Sequence, residues 1–331
     1  MFGMNACGKT TVIEAVNYLA LTKSFKTNDD REIINVNHDE MSLIGEVFQF
    51  GKNDKILVMK KNGYKTILKN SYQYKKISDY LGEVLIVAFS SFDLNLLLGY
   101  SKERRKIFEP IICQISKDYV FGYNLYNKVL NDRNALLKRL ILEKNNKLIE
   151  LLDVVDLRLV DAAKTLFETR EKFVLNVNEK ISKIHKQISS SEENLVLKYK
   201  PNIDPSKMLK KLKNNYENDL KKGTTSVGPH KDDFLFEING MDVAIYGSQG
   251  QQRNALISSK IAFLYILEQA KNKKPILLLD DVFSELDPIR QNNIFNALDD
   301  DVQVIISTAS LAEIDDKIVK KANVITLNKE D

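Results

Sequence analysis

The spacing of apolar and polar positions changes character several times along the chain. Val12, Ile13, Ala15, Val16 and Leu19 recur at helical spacing between Thr11 and Ala20, which predicts a helix there. From Ser42 to Asn70 the pattern shortens to runs of strand character, Leu43 to Phe50, Lys55 to Lys60 and Tyr64 to Leu68. They are separated by Gly51-Lys52-Asn53-Asp54 and by Asn62-Gly63, the latter a strong two-residue hairpin signal, so an antiparallel meander is expected. A helix from Lys76 to Leu81 and a buried strand from Val84 to Phe89 follow.

In the middle of the chain Tyr123, Tyr126, Leu130, Leu137 and Leu140 keep a three-four step with Arg133 in one slot. Phe173, Val177, Ile181, Ile184 and Ile188 repeat the step, with Lys144-Asn145-Asn146-Lys147 as a turn between the two runs. Two readings fit this periodicity: an antiparallel helical hairpin, and two amphipathic helices lying on an ordinary core. A short strand from Leu195 to Tyr199 and a basic helix from Ser206 to Lys222 come next. The last third predicts strands at Asp233 to Ile238 and Val243 to Tyr246 around Asn239-Gly240, then a helix from Gln251 to Ala270. The wholly apolar strand Ile276 to Leu279 runs into Asp280-Asp281, followed by a helix from Pro288 to Leu298 and strands at Val302 to Ile306 and Val324 to Leu327. Continuous apolar strands between helices imply an α/β fold whose sheet is covered on both faces.

Composition narrows the class. The chain has 331 residues, 44% of them hydrophobic and 28% charged, which supports a sizeable core and excludes a disordered or low-complexity protein. No stretch approaches the roughly 18 consecutive apolar residues of a membrane span, and Met1-Phe2 runs into Gly3 without the pattern of a signal peptide, so a cytoplasmic location is expected. Cys7 and Cys113 are the only cysteines, too few for a disulfide framework or a cysteine-rich zinc site. The formal charge of +4 conceals a division: from Ile276 onward 5 Lys/Arg face 12 Asp/Glu, a net of −7, leaving +11 for the rest. Lys198 to Lys222 alone holds 8 Lys against 3 acids; a solvated helix face is the default reading of such a run, and contact with a phosphate backbone the sharper one.

Three segments carry chemistry. Gly3-Met4-Asn5-Ala6-Cys7-Gly8-Lys9-Thr10 has the phosphate-loop spacing, in which glycines let successive N–H groups converge, Lys9 reaches β- and γ-phosphates, and the Thr10 hydroxyl is suited to ligate magnesium. Asp280 and Asp281 end an apolar strand, the arrangement that presents one carboxylate to a magnesium shell and a second to the attacking water. Gly247-Ser248-Gln249-Gly250-Gln251-Gln252-Arg253 opens a long helix and supplies a second anion site at Ser248. Two phosphate-seeking helix starts with one acid pair suggest a nucleotide held between two subunits.

These segments, with Gly228-Pro229-His230-Lys231-Asp232-Asp233 and Val282-Phe283-Ser284-Glu285-Leu286-Asp287, resemble the RecF family of bacterial recombination and gap-repair ATPases, relatives of the SMC proteins. The resemblance extends over nearly the whole chain. It implies an ABC/SMC-type P-loop ATPase head, a mixed sheet with flanking helices, carrying an inserted helical arm. The head would be residues 1–110 and 201–331, and the arm 111–200. ATP and Mg2+ would be bound, with Gly3, Asn5, Ala6, Cys7, Gly8, Lys9, Thr10 and Thr11 on one subunit and Ser248, Gln249 and Gly250 from another. Thr10 and Asp280 would serve the metal and Asp280 and Asp281 catalysis. Asp287 would cross the dimer interface and Thr308 would take the sensor position. The implied role is an ATP-dependent homodimer that clamps DNA at single-strand/double-strand gap junctions, releases it on slow hydrolysis, and supports RecA loading with RecR and RecO, in the nucleoid-associated cytoplasm.

Three departures from the pattern stand out. Asp281 occupies a position where transporter relatives carry Glu. Phe89-Ser90-Ser91-Phe92-Asp93-Leu94 lacks the family's Pro-Glu and is assigned no role. On the order of 30 residues, enough for two strands and the strand that feeds the phosphate loop, are expected to be missing before Met1, which reads as an internal methionine or the start of a fragment. The competing functional class is a truncated DNA- or partner-binding scaffold that does not bind ATP, and a weaker third is another SMC-like ATPase. His230 is expected to belong to a structural loop beside the site and not to a zinc centre, and Tyr119, Tyr123 and Tyr126 to the core.

Overall fold

The computed structural model describes residues 1–328 except 5, 28, 144, 284 and 285. The chain opens with helix α1 (Lys9–Leu21), followed by an antiparallel meander of β1 (Glu40–Gln49), β2 (Lys52–Lys61), β3 (Tyr64–Lys69) and β4 (Tyr72–Gln73) in that spatial order. The first turn is Phe50-Gly51, both left-handed, and Lys52 to Asp54 belong to β2, so this hairpin is tighter than the sequence pattern predicts. Asn62-Gly63 makes the second turn as expected, with φ of 52° and 80°.

Short helix α2 (Ile77–Tyr80) leads to strand β5 (Ile86–Ser90), and helices α3 (Phe92–Leu98) and α4 (Ser101–Ile115) follow. Two long helices, α5 (Lys117–Leu142) and α6 (Asn146–Asn178), pack along one another, and α7 (Ile181–Ser189) closes this helical section. Thus the seam from Phe173 to Ile188 crosses a break at Glu179-Lys180 and lies on two helices. Strands β6 (Leu195–Lys200), β7 (Asp233–Ile238) and β8 (Met241–Asp242) form an antiparallel sheet. The predicted basic helix is split into a short 3-10 turn, α8 (Met208–Asn214) and α9 (Tyr216–Lys222). Helix α10 (Val243–Tyr246) stands where a strand is predicted: the Asp242 side chain caps Ala244 N–H and starts a helical turn.

Helix α11 (Gln249–Lys271) precedes strand β9 (Ile276–Asp280), then come α12 (Pro288–Asn296), β10 (Gln303–Ser307) and α13 (Asp316–Lys321). Strands β10, β9 and β5 form a parallel sheet in that order. Phe2 adds to it by parallel bridges to Thr308 and Thr326, so near the C-terminus there is an isolated bridge where a full strand from Val324 to Leu327 is predicted. Alternate β9 side chains serve two cores: Leu277 and Leu279 join α4, α11 and the helical section, while Leu278 joins α1 and the meander. This double coverage accounts for the unbroken apolar run.

Both readings of the central helices hold in part. The base of α5 and α6 sits in the main core, and farther out Leu137, Leu140, Leu148 and Leu152 form a separate cluster covered by Tyr216 and Leu220 of α9. Arg133 fills its seam position because it is paired: fully buried, it donates to Asp156 (2.6 Å), Asp219 (2.8 Å) and Thr225 Oγ1 (2.9 Å).

Candidate nucleotide site

Gly8 ends the loop before α1 with φ of 90°, a conformation that glycine adopts without a Cβ clash, and Ala6 is also left-handed. A Cβ on Gly3 would lie 2.3 Å from Leu327 O and 2.7 Å from Cys7 Sγ, so only glycine fits there. No side chain caps the start of α1, whose first N–H groups keep their capacity for an anion. Lys9 is buried and its ammonium folds back onto the loop, donating to Gly3 O (2.7 Å) and Met4 O (2.9 Å). Thr10 is half-buried beside it and Thr11 exposed; Asn5, assigned to the same loop, lies outside the described residues.

The parallel register places Ser90, Asp280 and Ser307 side by side at the ends of β5, β9 and β10. Ser307 donates to Asp280 Oδ1 (2.7 Å) and accepts from Asp281 N–H (3.0 Å). Asp280 is buried, and its Oδ2 has no hydrogen-bond partner among the described residues. Asp281 is exposed and left-handed at φ 55°, so the chain turns away from the strand between the two carboxylates. Thr308 is buried and its hydroxyl is engaged locally, donating to Ser310 O (2.9 Å), while its N–H donates to Met1 O (3.1 Å).

These residues fit a magnesium nucleotide. A glycine cradle that a Cβ would fill, a lysine resting on loop carbonyls, and a buried carboxylate with an oxygen unengaged among the described residues are hard-donor and phosphate-binding groups. Sequence reasoning missed Ser307; the signal is its place one residue beyond an apolar run that pairs in register with the run ending at Asp280. It also left Asp93 without a role. The carboxylate of Asp93 accepts from Ser90 N–H (2.9 Å) and from Lys260 Nζ of α11 (2.8 Å), which ties the end of β5 to that helix.

The second group lies at the starts of α11 and α12. Ser248 and Gln251 form a reciprocal capping box, Ser248 Oγ accepting from Gln251 N–H (3.2 Å) and Gln251 Oε1 accepting from Ser248 N–H (2.9 Å). Ser248 and Gln249 are exposed, and the Cβ position of Gly250 comes within 4.0 Å of Arg290 on α12. Asp287 caps α12 through Arg290 N–H (2.9 Å); Ser284 and Glu285 before it lie outside the described residues. No hydrogen bond or ion pair joins Ser248, Gln249 or Gly250 to Gly3 through Thr11 among the described residues.

A family model described as "AAA domain, putative AbiEii toxin, Type IV TA system" matches residues 1–315. A DNA replication and repair protein RecF of Agathobacter rectalis is 40% identical over 314 residues, covering 95% of this chain and 86% of that protein. A RecF of Clostridium botulinum (strain Eklund 17B) is 38% identical over 329 residues, covering 97% and 89%. The chain belongs to the RecF family. A solved structure of the recombination mediator protein RecF with ATP, in the RecFOR pathway, matches with a TM-score of 0.87 at 32% identity over 95% of this chain and 86% of that one. The fold is that of an ABC/SMC-type P-loop ATPase, and the chain is an ATPase of that class.

In this RecF-family chain the segment Gly228 to Asp233 is a hydrogen-bonding hub, with Gly228, Pro229 and Asp232 buried and Lys231 exposed. Arg170 of α6 donates to Pro229 O (2.8 Å), Asp232 (2.9 Å), Tyr119 Oη (3.0 Å) and Glu109 (3.1 Å). Arg105 donates to His230 O and Asp232 O, while Arg104 makes a two-pronged pair with Asp233. Thr225 O can only accept, so His230 Nε2 carries the proton and Nδ1 accepts from Tyr126 O–H (2.6 Å). Burial, ahead of the nearby Lys231 and Arg105 charges, lowers its pKa to about 4. His230 is therefore a neutral structural group. Tyr119 and Tyr126 are fully buried and Tyr123 partly so, as core residues.

Proposed function

We propose that the chain is an ATP-switched DNA clamp in which Ser248 of one copy completes the nucleotide site on Gly3 through Thr11 of another. The observation that carries this is that, among the described residues, no hydrogen bond or ion pair joins the two phosphate-seeking sets. Ile245, Tyr246 and Ile289, each 69% exposed, surround the second set with apolar surface suited to a partner copy. Residues 1–110 and 201–331 would be the head and 111–200 the arm.

Lys9 gives up the carbonyls of Gly3 and Met4 for the β- and γ-phosphates, and the N–H groups at the start of α1 complete the cradle. Thr10 and Asp280 would hold magnesium, which when bound neutralises charge on those phosphates. Asp281 orients the attacking water, and Ser307 fixes the main chain beneath it. Ser248 donates to the γ-phosphate across the interface, so hydrolysis removes the group that joins the copies. Thr308 would sense the γ-phosphate only after its hydroxyl leaves Ser310.

The DNA surface is proposed on the basic part of the chain. A cleft of about 760 Å³ between the loop after α1, α4 and α5 has a mainly apolar wall that includes Asp93 and Glu109, and it carries Lys23, Lys26, Lys102, Lys106 and Lys231, the groups suited to phosphates. The RecFOR context of the solved relatives supports a partnership with RecO and RecR, and the reading extends this to action at gap junctions ahead of RecA loading, at the nucleoid in the cytoplasm. Among the described residues no helix is long and apolar enough to cross a membrane.

Light scattering with ATP and Mg2+ tests the switch: mass should double with ATP and stay monomeric with ADP or in Lys9→Arg. Binding to gapped duplex should weaken steeply with salt; a salt slope near zero would exclude a phosphate-tracking surface.

A further inference from the structure

Helix α7 leaves the helical section through Ser190, left-handed at φ 52°, into the short loop before β6. That loop is fastened to its own helix: Ser189 Oγ donates to His185 O (2.7 Å) and lies 2.8 Å from Ser191 Oγ. Two side-chain links then cross from it to the elements that carry Ser248 and Asp287. Glu193 Oε1 accepts from Gln251 Nε2 (2.7 Å), and Ser190 Oγ accepts from Asn293 Nδ2 of α12 (3.0 Å), the same amide lying 3.4 Å from Ile188 O.

The Gln251 amide is used at both ends. Its oxygen holds Ser248 N–H and its nitrogen is held by Glu193, so the amide cannot turn without breaking one bond or the other. The second oxygen of Glu193 accepts from His185 Nε2–H (3.2 Å), since a carboxylate has no proton to offer. His185 is fully buried, and its Nδ1 meets Ser258 Oγ (3.1 Å) farther along α11. Partial burial opposes the charged form of Glu193, and the hydrogen bonds from Gln251, His185 and Ser191 outweigh it, so its pKa lies below the ordinary glutamate value. The result is a hydrogen-bonded chain, Ser248, Gln251, Glu193, His185, that holds α11 at its first turn, with the His185 ring also packed against Ser258 Oγ two turns on, whose own proton goes to Asn254 O (2.6 Å).

We infer that Glu193 is a positioning residue for ATP hydrolysis, through which α7 and the arm set the orientation of Ser248. This rests on the reading of Ser248 as the contact from the second copy. Because Ser190 holds α12 from the same loop, a shift of α7 moves the Ser248 and Asp287 elements together, and the arm acts on both interface elements at once. An isolated cap on α11 would need only Ser248 and Gln251. Glu193 and His185 add nothing to that cap except a link to the arm.

Steady-state phosphate release as a function of ATP tests this. Glu193→Ala should lower kcat about tenfold while KM for ATP stays within about twofold, because the P-loop set is untouched. Glu193→Gln keeps one oxygen for the Gln251 amide and should recover kcat to within about threefold of the unmodified protein. A purely structural role would lower the urea midpoint and leave kcat of the folded fraction unchanged, which would overturn the inference. Ser248→Ala separates the two levels. If it lowers kcat and Glu193→Ala does not, the positioning role fails alone; if Ser248→Ala has no effect, the reading beneath it fails. Should Glu193→Ala not fold, hydrogen exchange on the unmodified protein decides: with ATP and Mg2+, amides at 189–194 and 248–252 should gain protection together, by about tenfold or more. Protection at 248–252 alone would contradict the link.

Discussion

Ser307 gives its hydroxyl proton to Asp280 and accepts the main-chain N–H of Asp281, so one small side chain holds both carboxylate-bearing residues. Ser307→Ala leaves an oxygen and an N–H without their partner and should cost about 1–3 kcal/mol, read from the urea unfolding midpoint. If Asp281 orients the attacking water as proposed, Asp281→Asn keeps the shape but removes the charge; nucleotide affinity should stay while single-turnover phosphate release falls about a hundredfold or more. The pKa of His230 makes a third prediction at this scale. Its folded pKa, about 4, lies below the ordinary 6.5, so the unfolded chain binds the proton more readily and stability falls as pH drops from about 6.5 toward 4. The loss traceable to His230 between pH 7 and pH 5 should reach up to about 2 kcal/mol, measured as the difference in urea stability between the unmodified protein and His230→Gln. Gly3, Gly8, Lys9 and the acid pair could be read from spacing because each chemistry admits few residue types. Ser307, Glu193 and the Asp93–Lys260 pair could not, since their roles arise from contacts across 26, 58 and 167 positions of sequence.

Helix α5 shows how an element outgrows its pattern. Its seam looks interrupted by Arg133, yet the arginine is fully buried and held by carboxylates from α6 and α9. Arg133→Ala would leave Asp156 and Asp219 buried without a counter-charge and should cost about 3–5 kcal/mol, a large shift in urea midpoint that Arg133→Lys only partly restores. Burial first, and then the nearby Asp153 and Asp219 charges, raise the pKa of Asp156 even with the arginine present, so the group is costly to hold. Hairpins β2–β3 and β7–β8 were legible because Asn-Gly supplies two left-handed residues in a row. The turn at Phe50-Gly51 was not, because Phe rarely takes that conformation, and α10 was not, because Val243, Ala244, Ile245 and Tyr246 suit a strand until Asp242 caps them.

For the whole molecule, the decisive feature is that its two phosphate-seeking sets stand on separate elements. The loop before α1 and the first turn of that helix carry the first set, the strand ends of the three-stranded sheet carry Ser90, Asp280 and Ser307, and Phe2 is bridged to Thr308 just past β10. Helices α11 and α12 present the second, and the loop after α7 ties both to the arm. The charge division follows this plan in part: the acidic end of the sequence carries Asp280 and Asp281, and the basic remainder lines the cleft beside α4 and α5. If one nucleotide is shared by two copies, complementary defects must rescue one another. The measurement is ATP hydrolysis by Lys9→Arg and Ser248→Arg, separately and mixed in equal amounts. Each alone should be inactive; the mixture should recover roughly a quarter of full activity, since half the dimers are mixed and each holds one intact site. A mixture no more active than the mean of its two components would contradict the shared site.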